Sequence, residues 1–392
     1  MKKLAVILSL TLAGFSATAQ SGYDAVLQQI ETNSATLSAL RKQTEVQQLG
    51  NRTGIYLANP EVEFNYLWGN PAAIGNRTDI NIKQSFDFPT AYAYRGKIAG
   101  LQNENAELLY KAERLNLLLA AKRICIDLIY HNALAEEYAA RLQNALRMAE
   151  AYQYKLNAGE TNVLENNKAQ LNLAALKTES ARIETERAAL LAELKTLNGG
   201  RKIDFSDNVY PPHTLPADFE TWYAQAEAQT PMLQYVSGQI EIERQQVKLN
   251  RALGLPKFSA GYMSEKVVGE HFQGITAGIS LPLWENKNRV KQTKAAVEAS
   301  QSALEDAKNQ FCNRLQTLYQ KAVALQQNAL TAMQSLTAYG NEPLLKKALD
   351  AGEISLLNYL LEIEFYYDAM NRALEIECDF ELTVAELQAV EL

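Results

Sequence analysis

The sequence has 392 residues, 38 Lys and Arg against 45 Asp and Glu, three Cys and a formal net charge of −7, with a mean hydropathy of −0.24. This acidic balance argues against a nucleic-acid partner, because such proteins need a basic face to displace counterions from phosphates. No uncharged apolar run reaches the ~18 residues of a membrane-spanning helix, so hydropathy excludes a helical membrane anchor.

Met1-Lys2-Lys3 is a basic start, Leu4 to Phe15 an apolar stretch and Ala17-Thr18-Ala19 a set of small residues at cleavage positions. Residues 1–19 therefore read as a secretory signal peptide. Its removal, with Lys2 and Lys3 and no acid, takes the net charge from −7 to −9. No Cys follows the cleavage position, which argues against a lipid anchor there. Cys125, Cys312 and Cys378 are an odd set and cannot complete a disulfide framework. Cys312 and Cys378 lie 39 and 27 residues from the turn near Ala351. That mismatch is roughly 18 Å along paired helices, so all three read as small apolar packing residues.

The same order of features occurs twice. Lys155-Leu156-Asn157-Ala158-Gly159-Glu160-Thr161-Asn162-Val163-Leu164 is echoed by Ala348-Leu349-Asp350-Ala351-Gly352-Glu353-Ile354-Ser355-Leu356-Leu357, with Gly159 and Gly352 193 positions apart. Pro60 and Pro256, 196 apart, head two alternating runs, and Ser85 and Ser280, 195 apart, stand near the ends of two more. The chain reads as two repeats, 20–198 and 217–392, joined by a linker at 199–216 where Gly-Gly, Pro-Pro and Leu-Pro break all periodicity.

Each repeat reads helix, strand, strand, long helix, turn, helix. The first helices span about 23–55 and 219–253, the long helices about 95–157 and 287–349, and the last helices about 162–198 and 354–390. From Ile98, positions 98, 101, 105, 108, 112, 115, 119, 122, 126 and 129 hold Ile, Leu, Asn, Leu, Ala, Leu, Leu, Lys, Ile and Ile, the 3–4 spacing of a coiled-coil seam. The alternative for this stretch is an ordinary bundle with a kink.

The strands fall at about 60–68, 78–88, 257–265 and 274–283. Val62, Phe64, Tyr66, Trp68, Ile80, Ile82, Phe86 and Phe88 alternate with Glu61, Glu63, Asn65, Asp79, Asn81, Lys83, Ser85 and Asp87. The second repeat sets Phe258, Tyr262, Ile275, Ile279 and Leu281 against Lys257, Ser259, Gly261, Thr276 and Ser280. Alternation of this kind also fits a hairpin sheet packed on helices. Two features favour membrane hairpins instead. Each strand has about ten residues, enough for a tilted crossing, and aromatic residues stand near the strand ends as an interfacial girdle would. The far loops, Gly69 to Arg77 and Lys266 to His271, carry Gly, Pro, Asn and charge. Four strands are too few to close a barrel, so the wall must be shared among subunits.

With an export signal, two such halves and Gly-containing turns between long helices, the sequence resembles the TolC family of outer-membrane efflux channels over the whole mature chain. The most specific matches are Ala158 to Leu164 and Ala351 to Leu357, at the family's periplasmic turns, with Phe86-Asp87-Phe88-Pro89 and Ser280-Leu281-Pro282-Leu283 at the strand-to-helix exits. Ala-Gly-Glu-Ile-Ser-Leu-Leu is nearest in look to the heavy-metal branch, the CzcC-like and CusC-like proteins.

The resemblance implies a mainly α fold with a small β part, a homotrimer with a twelve-stranded barrel, and long helical hairpins forming a periplasmic tunnel. It also implies an outer-membrane location extending into the periplasm, a periplasmic adaptor and an inner-membrane pump of RND or ABC type. Substrates would be cations, drugs or other small molecules. A type I protein-secretion duct and a periplasmic coiled-coil scaffold are the alternatives.

Carried onto this chain, the adaptor-contacting turns are Gly159, Glu160 and Thr161, and Gly352, Glu353 and Ile354. The aperture candidates are Asn358, Glu362 and Glu364. Asn358 and Leu361 stand near where the family's ring acids would fall, a departure that puts an acidic ring in doubt. Capping of the following helix is an equal reading for Glu160 and Glu353. The apolar strand residues would face lipid, and Glu61, Glu63, Asn65, Asp79, Asn81, Lys83 and Asp87 would face the lumen.

His131, His213 and His271 are widely separated and no Cys or His pair has metal-ligand spacing, so neither a metal site nor a cofactor is expected. No phosphate-cradling Gly loop or nucleophile turn is present, and the chain reads as a passive conduit rather than an enzyme.

Overall fold

The 3–4 ladder that starts at Ile98 folds as part of one unbroken helix. In the computed structural model, which describes residues 22–392, α3 runs over Pro89–Asn157, 69 residues, or ~100 Å at 1.5 Å per residue. Every ladder position from Ile98 to Ile129 is buried or half-buried, so the seam is a packing face. The expected signal peptide, 1–19, lies outside the described residues.

In chain order the elements are α1 (Gly22–Asn33), α2 (Ala35–Asn51), β1 (Glu61–Leu67), β2 (Arg77–Phe86), α3, α4 (Val163–Leu197), α5 (Phe219–Gln229), α6 (Pro231–Ala252), β3 (Lys257–Val267), β4 (Glu270–Ser280), α7 (Arg289–Tyr339), α8 (Glu342–Asp350) and α9 (Leu356–Leu387).

Three expected helices are interrupted. The helix expected at 23–55 breaks at Ser34, beside Asn33, whose side chain donates to Asn198 Oδ1 at 3.0 Å and accepts from Arg201 at 2.5 Å. The one expected at 219–253 breaks at Thr230, because Pro231 opens α6 and has no N–H to continue α5. The one expected at 287–349 breaks at Gly340-Asn341, with Pro343 in the first turn of α8 acting the same way.

The described chain divides into two units. One comprises 22–34, 120–213 and 329–381. Its core joins Ala145 and Ala149 of α3, Ala169 and Leu173 of α4, and Leu356 of α9, the three alanines letting the helices approach closely around the two leucines. The expected linker is a packed strap here: Ile203 and Phe205 are buried, Tyr210 Oη donates to the Ile126 carbonyl at 3.1 Å and Asn132 Nδ2 to the Asp207 carbonyl at 2.8 Å. The strap also carries His213, whose Nε2 lies 2.6 Å from Tyr23 Oη and 3.1 Å from the buried Glu381.

The other unit comprises 35–119, 214–328 and 382–392 and contains the sheet. Ala91 and Ile98 of α3 pack on Ile242, Leu249 and Ala252 of α6. Phe219 of α5 meets Tyr319 of α7 with ring centroids 5.4 Å apart, next to the buried Leu315 and Leu387. All three Cys are free, two buried and Cys312 half-buried, which matches their reading as packing residues.

Two measurements probe the helical core. Ile129→Ala removes a side chain that is 1% exposed and is expected to cost ~2–5 kcal/mol, read as a lowered thermal midpoint. Burial first, and Glu381 second, push the Glu377 carboxyl above its ordinary value. The unfolded carboxyl then ionises before the folded one, so this group's contribution to stability falls as pH rises through the carboxylate range. Glu377→Gln is expected to raise the midpoint at neutral pH and leave it unchanged in acid; equal midpoints at both would contradict that environment.

Candidate functional site

Four strands pair antiparallel in the order β1-β2-β3-β4. The register sets Val62 opposite Ile82, Ile82 opposite Tyr262 and Tyr262 opposite Ile275, one cross-strand row on one face. Phe86, Phe258 and Ile279 form another row, and Phe64 pairs with Ile80. The expected apolar set is therefore brought together, and its pairs at ~5 Å spacing make one continuous surface. That surface is uncovered: Val62, Phe64, Tyr66, Ile80, Ile82, Phe258, Tyr262, Ile279 and Leu281 are all exposed and Ile275 is 89% exposed. A monomeric soluble protein rarely leaves so large an apolar patch in water. Trp68 and Trp284, 80% and 81% exposed, stand beyond its two ends. Phe88 lies outside β2, which ends at Phe86, and packs its ring 6.5 Å from that of Phe258.

The opposite face carries the charge. Glu61 faces Lys83, Glu63 faces Asn81, and Asn65 faces Asp79. Asp79 departs from a solvated lumen residue. It is buried opposite Glu265, and Arg77 Nε bridges the two carboxylates at 2.8 and 3.2 Å, offsetting a like-charge pair. Asp87 pairs with Arg95 at 2.5 Å at the start of α3. The loop expected at Lys266 to His271 is shorter than the sequence suggested. The strands continue to Val267 and from Glu270, and Val268 and Gly269, with φ of 44° and 90°, make a two-residue reversal. Two successive positive φ values are the hairpin geometry that Asn-Gly or Asp-Gly would have advertised.

The helical turns are the second candidate feature. Gly159 and Gly352 have φ of 74° and 75°. Glu160 N–H donates to the Lys155 carbonyl at 2.8 Å and Gly159 N–H to Leu156 at 3.1 Å; Glu353 and Gly352 make the same bonds to Ala348 and Leu349 at 2.9 and 3.0 Å. Each turn thus closes its helix by the same paired bonds around a left-handed Gly. The capping reading of Glu160 and Glu353 does not hold. Asn162 and Ser355 cap the next helices, accepting from Glu165 N–H at 2.9 Å and Asn358 N–H at 3.2 Å. The N-x-x-E string Asn162 to Glu165 was the available signal. Glu160 and Glu353 are exposed and ahead of the caps, with Thr161 and Ile354 half-buried beside them.

Asn358, Glu362 and Glu364 are all exposed near the start of α9. Glu362 lines a groove with Tyr339 and Phe365, whereas Glu364 lines a separate one with Tyr138 and Tyr367. Two positions on a helix differ by about 200°, so only one of these carboxylates can face a given opening. Sequence reasoning missed Arg141, 3% exposed, whose guanidinium sits 4.6 and 4.1 Å from the Tyr138 and Tyr367 rings and donates to Asn371 Oδ1 at 3.0 Å. It fastens α9 to α3 through cation–π contacts and a hydrogen bond. Among the described residues no helix is long and apolar enough to cross a membrane, and no cluster of His, Cys, Asp and Glu could hold a metal ion.

Gly159→Ala and Gly352→Ala meet no atom within 4 Å, so their cost is backbone strain of ~1–2 kcal/mol. Faster amide exchange confined to 158–163 and 351–356 is expected; unchanged exchange there would contradict the turn geometry.

No protein-family model matches the sequence, and no curated protein matches it. Solved structures do. CusC, described with transmembrane channel formation, superposes with a TM-score of 0.80 at 13% identity over 95% of this chain and 92% of its own. The CmeC outer membrane channel of Campylobacter jejuni gives 0.75 at 15% identity over 94% and 85%. The open-state MtrE outer membrane channel of Neisseria gonorrhoeae gives 0.71 at 14% identity over 93% and 88%. The mostly helical chain with its small antiparallel sheet therefore has the fold of the TolC-like outer-membrane channels.

Proposed function

We propose that this chain is the outer-membrane duct of a tripartite efflux system, a passive exit for substrates handed on by an inner-membrane pump through a periplasmic adaptor. One observation carries the reading: a four-stranded sheet with a continuous uncovered apolar face and a charged opposite face, at whose ends β1 and β4 have no further partner among the described residues. In lipid, unpaired edge groups cost several kcal/mol each, so the sheet must close with other copies. Three copies of four strands give a twelve-stranded wall, with Glu61, Glu63, Asn81 and Lys83 toward water.

The turns at Gly159-Glu160-Thr161 and Gly352-Glu353-Ile354, whose Gly and Glu are exposed, are the adaptor contacts in this reading. Of the aperture candidates, Glu362 or Glu364, not both, faces the opening. The fold shared with CmeC and MtrE, outer membrane channels, supports the placement in the outer membrane. Selection among metal ions, drugs or other cargo falls to the pump.

Phe64→Lys with Ile80→Lys places two charges on the lipid face, one row outside mid-strand, where each costs up to ~2–4 kcal/mol. Loss of the protein from the outer-membrane fraction is expected. Normal membrane recovery of this variant would contradict the barrel and favour a soluble scaffold. A second variant, Gly352→Pro, is expected to abolish export while the assembled membrane form persists; intact export would remove the turn from the adaptor contact.

A further inference from the structure

The apolar sheet face changes character toward the hairpin turns. Its row nearest the helices is Phe86, Phe258 and Ile279; Gln84, Ala260 and Ala277 come next, and the row of Val62, Ile82, Tyr262 and Ile275 stands at mid-strand. One step further, Phe64 and Ile80 continue the apolar surface on β1 and β2, but β3 and β4 supply Ser264 and Gln273. The outermost row, Tyr66, Thr78, Lys266 and His271, is polar throughout. Successive rows on one face are ~7 Å apart along the strand, so the polar patch occupies the last ~7–14 Å of the wall.

The patch is hydrogen-bonded within itself. Ser264 Oγ lies 2.8 Å from His271 Nε2, Tyr262 Oη donates to Gln273 Oε1 at 2.9 Å, and Asn76 Nδ2 donates to Tyr66 Oη at 2.7 Å. Lys266 stands apart from these pairings. It is exposed, and it is the only Lys or Arg among the strand residues on this face. The sheet's other cations lie on the charged face, where Arg77 bridges Asp79 and Glu265, and Lys257 reaches Glu285 at 3.3 Å. No carboxylate occurs on the apolar face near Lys266.

We infer that Lys266 and His271, with the surrounding hydroxyl and amide groups, form a binding site for the phosphate-bearing headgroup of an outer-leaflet glycolipid. The inference rests on the barrel reading above, which sets this face against lipid and the turn end at the outer surface. A lysine on a lipid face is tolerated only near the interface, where its stem lies along apolar surface and its ammonium reaches the headgroups. The groups that meet it there are anionic phosphates, for which a cation with no carboxylate partner is the complement. Thr78, Gln273 and Tyr66 offer hydroxyl and amide groups suited to sugar hydroxyls. The position on the wall selects the source, since phospholipids of the inner leaflet would lie at the opposite, helix-side end, beside Trp284 and Leu281.

The test is native mass spectrometry of the full chain in detergent, titrated with bis-phosphorylated lipid A, its dephosphorylated form and phosphatidylethanolamine. Bis-phosphorylated lipid A is expected to bind best. Lys266→Ala with His271→Ala should weaken it about fivefold or more, bringing it to the level of the dephosphorylated form. Lys266→Arg should retain binding, and Lys83→Ala, on the opposite face, should leave it unchanged. Equal binding of the two lipid A forms, or equal binding by the double variant, would overturn the site while leaving the barrel intact. A protein that never enters lipid vesicles would overturn the barrel and this site with it.

Discussion

Backbone hydrogen bonding at the two ends of a four-stranded sheet is the constraint on which the rest depends. β1 and β4 each present one row of amide and carbonyl groups with no partner in the described chain. Water could satisfy those groups, but the same sheet has an apolar face that water disfavours, from Val62 across to Ile275. Lipid would satisfy the face and penalise the edges. Closure with identical copies would satisfy both, so low hydropathy and the lack of a spanning helix among the described residues leave insertion as a barrel open.

The helices extend the same logic. α3 leaves the sheet through the Asp87–Arg95 ion pair and continues for 69 residues without interruption. It keeps its inward stripe by alternating large residues with Ala, so that Ala91, Ala145 and Ala149 sit where α6, α4 or α9 approach closely. Its end is fixed by a left-handed Gly and a capped restart, and the second hairpin uses the same device. The interruption at Gly340-Asn341 has no counterpart in α3, so the two hairpins differ in continuity although their turns agree.

Much of this was legible in the residues because strand and helix periods are strict. The alternation placed Val62, Phe64, Tyr66, Ile80, Ile82 and Phe86 together on one face, as the register has them, since a one-residue slip would have inverted the set. The 3–4 ladder located α3 for a similar reason. What escaped was nonperiodic. Val268-Gly269 turns without the usual Asn or Asp, so the β3–β4 loop looked longer than it is. Single prolines at 231 and 343 ended helices whose apolar pattern continued through them. Asp79 looked like a solvated lumen residue, yet Arg77 and Glu265, distant in sequence from one another, bury it. Arg141 lay within a helical pattern, and only the approach of Tyr367 on α9 gives it a role.

The central claim is that the sheet is completed by other copies in lipid. The molar mass of the purified protein in detergent, measured by light scattering with the detergent contribution removed, tests it most directly. A mass of three chains is expected, together with loss of that species when the β1 and β4 edges are blocked by Pro substitutions. A stable single chain, soluble without detergent, would contradict it.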